Sequence, residues 1–339
     1  MVRAGKRNLI TDVAGLKVGQ AEDLKARTGV TVLLMDAPAP AAVDVRGGAP
    51  GTRDIEGLDP VTLVEGIDAI ALSGGSAFGL DAASGVQAHL AAQGRGFRIG
   101  PGAPPVPIVP GAIVFDLANG GDKSWGDMPP YRALARKAAE AASSDFALGN
   151  AGAGLGAVAG AYKGGTGSAS AVTDDGFTVG AIAIVNAVGS PVIAGTRAFW
   201  AFALEQDGEF GGARPPADFR GIDLDLPADM KGSQRPLSNT TIAVVATDAI
   251  LARVELKRVA IMAADGFARA LRPVHAPFDG DTAFAVSTGM RAIAEPRARE
   301  VMRLGALAAD CLSRAIARGV FEAQSLGQAR SYKEQFKGG

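Results

Sequence analysis

The sequence is poor in the residues that form disulfides, zinc sites and histidine-dependent catalytic centres. Among its 339 residues there are one cysteine, Cys311, and two histidines, His89 and His275. A single cysteine excludes an intramolecular disulfide and leaves the redox state of the compartment open. Two histidines cannot supply a histidine-rich metal site, and a histidine-dependent serine triad would have to use one of them. We therefore expect neither a metal nor another cofactor.

The sequence also lacks a charge excess and long apolar runs. It has 34 basic and 35 acidic residues, whereas nucleic-acid-binding proteins typically carry a basic excess. No run of about 20 apolar residues is present to span a membrane, and the N-terminus lacks the apolar region of a signal peptide. We expect a cytoplasmic protein that binds neither nucleic acid nor a membrane.

Apolar residues, by contrast, make up 47% of the chain, and 46 residues are glycine. The helical periodicity of apolar residues places Cys311 on a buried stripe, so we expect it to be a core residue. Strands and helices recur along the chain, which indicates an α/β or α+β fold with sheets covered by helices. Apolar patterns predict strands at 28–36, 41–47, 69–75, 106–117, 177–188, 240–247 and 282–288, and helices at 76–93, 129–142, 250–271 and 296–318.

The most informative feature is an abrupt change from a polar segment to a buried strand. Residues 205–239 are rich in glycine, proline and charge and are expected to form an exposed linker. If the bond between Asn239 and Thr240 were cut, Thr240 would begin the strand with a hydroxyl and a free α-amine. The amine, with a pKa of ~7.7–8.0, is then a built-in general base for the hydroxyl. The alternative is an ordinary strand start with two β-branched residues.

Four other features have a functional and a structural interpretation. Asp279 and Asp281 lie two apart at a strand start, so both carboxylates point to one side; they could orient a hydroxyl or an ammonium, or form a solvated turn. Lys163 could be a site residue or a surface lysine. Ser76 could cap the following helix and also contribute to a substrate pocket. The glycine-rich segment 149–160 fits close backbone packing better than a dinucleotide site.

Seven segments in order resemble one family. They are residues 8–19, 72–83, 107–117, 149–170, 185–189, 239–248 and 279–286. Together they resemble the DmpA/NylC family of self-cleaving N-terminal-nucleophile hydrolases, which includes L-aminopeptidase/D-esterases, β-peptidyl aminopeptidases and nylon-oligomer hydrolases. The resemblance implies a single domain built as a four-layer α-β-β-α sandwich, a type shared with ornithine acetyltransferase. It also implies a precursor cut into residues 1–239 and 240–339, which assemble as a homo-oligomer, a tetramer in the family.

The resemblance also assigns roles to individual residues. It makes Asn239 the residue before the cut, Thr240 the nucleophile and Asn186 the side chain that polarises the scissile carbonyl. Lys163, Asp279 and Asp281 match the nylon-hydrolase branch. A family tyrosine credited with oxyanion binding has no match in register, since Tyr131 is displaced from it.

The overall pattern of the chain is more similar to general bacterial peptidases of the family, so we expect an aminopeptidase that acts on short peptides or small amides through a Thr240 acyl-enzyme. Three alternatives stay open: an endo-acting 6-aminohexanoate oligomer hydrolase, an acyltransferase of the ornithine acetyltransferase type, and a binding protein with an inactive site. Hydrolysis of N-terminally blocked substrates would indicate the endohydrolase, and acyl transfer to an added amine would indicate the acyltransferase. A folded chain that stays uncut would indicate the binding protein.

The linker-to-strand change predicts where the precursor is cut. Under denaturing conditions the purified protein should give two chains, and N-terminal sequencing of the smaller one should begin Thr-Thr-Ile-Ala. The Thr240→Ala chain should stay intact, because it has no hydroxyl to attack the preceding carbonyl. A single intact chain from active wild-type protein would contradict the prediction.

Overall fold

The computed structural model describes residues 2–226, 229–231 and 239–337 of the chain. The strands in this part are β1 Leu16–Asp23, β2 Thr28–Ala39, β3 Ala41–Val45, β4 Thr52–Arg53, β5 Ile67–Ser73, β6 Gly111–Ile113, β7 Val158–Ala159, β8 Tyr162–Lys163, β9 Gly165–Val172, β10 Thr178–Asn186, β11 Thr240–Ala249 and β12 Thr282–Arg291. The α-helices are α1 Ala82–Ala92, α2 Tyr131–Glu140, α3 Arg253–Ala263, α4 Asp265–Ala270, α5 Arg297–Phe321 and α6 Tyr332–Gln335.

Two five-stranded sheets form the centre of the fold. The first has the strand order β1-β2-β5-β6-β4, and the second has the order β3-β12-β11-β10-β9. In the second sheet β11 is the middle strand, antiparallel to β10 and parallel to β12. A buried strand with neighbours on both sides is held by two ladders of backbone hydrogen bonds. The start of β11 is therefore fixed from both sides.

The two sheets stack face to face, and helices cover their outer faces. Successive side chains of a strand point to opposite faces, so Leu33 of β2 packs between the sheets while Val32 packs against α1 and α2. In the second sheet Val244 packs between the sheets, whereas Val245 packs against the layer that contains α3, α4 and α5. Three buried apolar clusters thus separate four layers, and the α-β-β-α sandwich expected from the resemblance is confirmed.

Several element boundaries differ from the sequence predictions. The predicted strand at 106–117 is reduced to β6, because prolines at 107 and 110 remove two backbone donors just before it. The predicted helix at 76–93 begins as a 3-10 segment, Ser76–Asp81, before α1. The predicted helix at 250–271 is divided into α3 and α4. Strand β1, which was not predicted, pairs along the whole of its length with β2.

The predicted linker at 205–239 has two parts within the described residues. Phe210 is buried against the core, and Glu209 forms an ion pair with the buried Arg314, Oε1 to Nε 2.5 Å. Residues 211–226 are mostly exposed. Residues 227–228 and 232–238 lie outside the described residues. No helix in the described ranges is long and apolar enough to cross a membrane.

The position of Cys311 gives a direct test of the core. Its thiol is fully buried, and burial raises its pKa to about 12. Because the thiolate is the reactive form, Ellman's reagent should titrate no thiol in the native protein and one thiol per chain in guanidinium. A native thiol that reacts at the rate of free cysteine would contradict the packing of α5.

Candidate active site

Thr240 is the first residue of β11 and lies directly opposite Asn186, the last residue of β10. Both side chains are buried, as is Asn239. The Thr240 hydroxyl donates a hydrogen bond to the backbone carbonyl of Asn239, which belongs to the bond that the sequence predicts to be cut. The hydroxyl oxygen therefore lies next to the carbonyl group that it would have to attack.

Hydrogen bonds on both sides fix the orientation of the Asn186 side chain. Its Oδ1 accepts from the backbone amide of Val158 at 3.0 Å and from the Lys231 ammonium at 2.9 Å. Its Nδ2 donates to the backbone carbonyl of Phe115 at 3.1 Å. These partners come from three separate segments, so the ends of several elements converge beside Thr240.

The two predicted carboxylates lie just before β12 and are both buried. Asp281 Oδ1 accepts from the backbone amide of Thr241 at 2.7 Å, one residue beyond the predicted nucleophile. Asp279 Oδ2 accepts from the amide of Ala276 at 2.9 Å, and its backbone forms a bridge with Asn239. The pair is thus part of the interior beside the cleavage position, and its alternative interpretation as a solvated turn is wrong.

His275 is a site residue that the sequence analysis did not single out. Its ring Nδ1 lies 2.9 Å from Asp281 Oδ2, and its backbone amide donates to the same oxygen at 3.1 Å. Asp281 thereby bridges His275 and Thr241. The sequence signal was weak, because a histidine six residues before an aspartate matches no common motif; its backbone φ of +55° also marks an irregular turn.

Lys163 is buried, so its interpretation as a surface lysine is wrong. Its ammonium donates to the carbonyls of Gly154 at 2.9 Å and Gly164 at 2.7 Å. Burial lowers its pKa to about 7, and the charge of Lys231 acts in the same direction. Glycine is required next to Lys163, because an added Cβ at Gly164 would lie 2.0 Å from the carbonyl oxygen of Val185.

Lys231 is the second functional candidate that sequence reasoning missed. It lies in the predicted linker, yet its ammonium reaches Asn186, and burial lowers its pKa to about 7. The charges of Asp279 and Asp116 oppose that shift. Burial, together with the neighbouring charge of Asp281, raises the pKa of Asp279 to about 7. Two amines and one carboxyl group near Thr240 can therefore change their protonation around neutral pH.

Ser76 does not cap the helix as predicted. The residue at the N-cap position is Gly75, with φ +86°, and no side chain caps the 3-10 segment that follows. Ser76 itself adopts φ +53°, and its backbone amide donates to the carbonyl of Val114 at 3.0 Å. Its hydroxyl therefore has no capping role, and its part in a substrate pocket stays a prediction.

A family model described as peptidase family S58 matches residues 8–333 of the chain. The chain belongs to peptidase family S58. This confirms the resemblance inferred from the seven segments, and the chain is accordingly a hydrolase of peptide or amide bonds.

Two relatives agree with the S58 assignment, and one solved structure shares the fold. A protein of Mycobacterium tuberculosis described as an uncharacterized aminopeptidase is 43% identical over 348 residues, with 98% of both chains covered. A 6-aminohexanoate-oligomer endohydrolase of Kocuria is 31% identical over 295 residues, which cover 84% of this chain and 76% of the relative. The L-aminopeptidase D-Ala-esterase/amidase of Ochrobactrum anthropi, described as a variant of the Ntn hydrolase fold, has a TM-score of 0.67 at 21% identity, with 97% of this chain and 90% of that chain covered.

The lowered pKa of Lys163 predicts a pH-dependent stability of the uncut chain. Lysine has an ordinary pKa of 10.5, whereas Lys163 titrates near 7 in the folded chain. Between these values the unfolded chain binds more protons, so folding stability rises with pH. We compare the uncut Thr240→Ala chain with the same chain that also carries Lys163→Met. Between pH 7 and about pH 9 the melting temperature of the Thr240→Ala chain should rise by more than that of the double variant.

An exposed lysine supplies the control for this measurement. Lys137→Met, on the outer face of α2, should leave the pH dependence of the melting temperature as it is in the parent. Parallel curves for the parent and Lys163→Met would show that Lys163 stays protonated in the folded chain, contrary to the prediction.

Proposed function

We propose that the chain is a self-processing N-terminal-nucleophile amidase, an aminopeptidase for short peptides or small amides, with Thr240 as its nucleophile. The observation that carries the proposal is the hydrogen bond from the Thr240 hydroxyl to the Asn239 carbonyl at the first residue of a central strand. The hydroxyl is thereby held beside the carbonyl group that it has to attack in self-cleavage.

Self-processing proceeds in two steps, an acyl shift and an ester hydrolysis. The Thr240 oxygen attacks the carbonyl carbon of Asn239, and the carbon–nitrogen bond then breaks. The acyl group moves to the Thr240 oxygen as an ester, and the hydroxyl proton ends on the nitrogen that becomes the α-amine. Water then hydrolyses the ester, which releases Asn239 as a carboxylate and restores the Thr240 hydroxyl.

The processed enzyme repeats this chemistry on a substrate amide. The Thr240 α-amine accepts the hydroxyl proton as the oxygen attacks, and this proton passes to the departing substrate amine. Water then hydrolyses the acyl-enzyme. An N–H of the Asn186 side chain stabilises the developing oxyanion, an interaction typically worth ~2.7–4 kcal/mol. Asp281 positions the nucleophile through the amide of Thr241, and His275 holds the other carboxylate oxygen.

The mycobacterial relative supports the aminopeptidase proposal, and the Kocuria relative supports a second candidate. The second candidate is endo-hydrolysis of ω-amide oligomers, which is favoured by the resemblance of Lys163, Asp279 and Asp281 to the nylon-hydrolase branch. Hydrolysis of alanine oligopeptides and of 6-aminohexanoate oligomers, each with free or acetylated N-termini, separates the two candidates. An aminopeptidase should release alanine only from the free alanine peptides, whereas the endohydrolase should cut the 6-aminohexanoate oligomers with free and with acetylated N-termini. No hydrolysis of any of these substrates by processed enzyme would contradict both.

The contacts of Asp281 predict the effect of removing its charge. Asp281→Asn keeps the shape of the side chain but replaces one acceptor oxygen by an NH₂ group. With one acceptor oxygen left, the asparagine cannot keep the contacts of both carboxylate oxygens, one with Thr241 and one with His275. We expect kcat per processed chain to fall by at least ~10²-fold, as for other positioned acid–base groups, with a smaller change in KM. Asp265→Asn, an exposed carboxylate on α4, should behave as wild type.

Two other outcomes would change the role of Asp281. A rise in KM confined to free-amine peptides would assign it to binding of the substrate ammonium. Wild-type kinetics on free and blocked substrates would remove the carboxylate pair from the mechanism.

A further inference from the structure

A cavity of about 650 Å³ lies beside the candidate site. Val158 and Lys163 form part of its wall. The backbone amide of Val158 donates to Asn186, and Asn186 lies opposite Thr240 in the β10–β11 ladder. Val158 thus connects the cavity wall to Asn186, which pairs with the nucleophile Thr240. The volume of the cavity lies in the range of about 300–1,000 Å³ that is typical of small-molecule sites.

The ionisable side chains in the wall of the cavity are Arg27 and Lys163, and none of the described residues that line the cavity is acidic. Lys163 is only partly protonated near neutral pH, because burial lowers its pKa to about 7, so Arg27 is the lasting positive charge of the wall. A half-enclosed space with a guanidinium and no carboxylate in its wall attracts an anion, because the low-dielectric walls weaken screening by solvent.

Arg27 is held in place and keeps donors available. Its Nη1 donates to the backbone carbonyl of Asn119 at 3.1 Å, and its own carbonyl accepts from Asn119 Nδ2 at 2.6 Å. Within the described ranges, no carboxylate lies at ion-pair distance from its guanidinium. A guanidinium has five N–H donors in a planar fork that matches a carboxylate, so the bond to Asn119 leaves donors for a ligand.

Glycines shape the wall around this guanidinium. An added Cβ at Gly327 would lie 2.4 Å from Arg27 Nη1, and one at Gly120 would lie 3.2 Å from the same atom. Both residues adopt positive φ, +61° and +78°, a conformation that side chains other than glycine rarely adopt. The backbone at these two positions therefore leaves the space that Arg27 occupies at the cavity wall.

We propose that Arg27 binds the terminal carboxylate of the substrate, so that the preferred substrates are short peptides with a free C-terminus. The proposal rests on the proposed amidase function and specifies its substrate class. In a dipeptide the carboxylate belongs to the departing residue, one residue beyond the bond that Thr240 attacks. Arg27 lines the same cavity as Val158, whose backbone amide donates to Asn186 beside the nucleophile.

The test compares L-alanyl-L-alanine with its C-terminal amide, since the two differ only in the carboxylate. Wild-type enzyme should have the higher kcat/KM on the acid. Arg27→Gln should lower the acid-to-amide ratio of kcat/KM about tenfold or more, because charge-assisted hydrogen bonds are lost, and the change should appear in KM. Arg27→Lys, which keeps the charge without the fork, should give an intermediate ratio.

Lys25→Gln is the matched control. Lys25 lies in the same β1–β2 turn, its side chain is 83% exposed, and it pairs with Asp122 rather than facing the cavity. Its substitution should leave the acid-to-amide ratio within about twofold of wild type, as expected for an exposed charge. An unchanged ratio in Arg27→Gln, whether both activities fall together or neither falls, would overturn the proposal.

Two further measurements separate this proposal from the proposed amidase function. L-alanine p-nitroanilide has no carboxylate, so its hydrolysis tests the Thr240 chemistry alone. Calorimetric titration of wild-type enzyme with N-acetyl-L-alanine and with its amide tests carboxylate binding without turnover. Binding of the acid that is weakened in Arg27→Gln supports the carboxylate site even if no amide is hydrolysed. Equal binding of acid and amide overturns the site even if the anilide is hydrolysed.

Discussion

The pairing of β10 with β11 is the constraint on which the site depends. It sets Asn186 opposite Thr240 at the point where both strands meet the loops of the site. Because side chains alternate along a strand, a slip of one residue would move the Thr240 hydroxyl to the opposite face of the sheet. The apolar side chains that follow, such as Ile242 and Val244 between the two sheets, prevent that slip. Core packing therefore determines the position of the predicted nucleophile.

The second constraint is the burial of ionisable groups beside that strand. A buried charge is costly, so burial shifts each pKa toward the neutral form. It lowers the pKa of Lys163 to about 7 and raises that of Asp279 to about 7. Acid–base groups are most effective when their pKa values lie near the working pH. Burial of these groups therefore costs stability, but it also provides the site with groups that exchange protons at neutral pH.

The sequence predicted those parts of the protein that depend on local patterns. The strand that starts at Thr240 and the helix α5 follow from apolar periodicity. The four-layer fold and the assignment of Asp279 and Asp281 to the site follow from the family resemblance. Contacts made across the fold were not predictable in this way. Lys231 reaches Asn186 from a segment with linker composition, and His275 reaches Asp281 through an irregular turn. The position of Ser76 between a strand and a helix predicts a cap. Its positive φ is unusual for serine and cannot be predicted from the residue type.

If Thr240 is the nucleophile, it carries the acyl group of the substrate during catalysis, and this group can be trapped. Processed enzyme is mixed with the p-nitrophenyl ester of an amino acid whose acyl-enzyme is hydrolysed slowly. The mixture is quenched in acid during turnover and digested for mass spectrometry. We expect the peptide that begins at Thr240 to gain the mass of the aminoacyl group on its first residue, and the Thr240→Ala chain to show neither adduct nor turnover. An adduct on a different residue, or turnover by the Thr240→Ala chain, would contradict it.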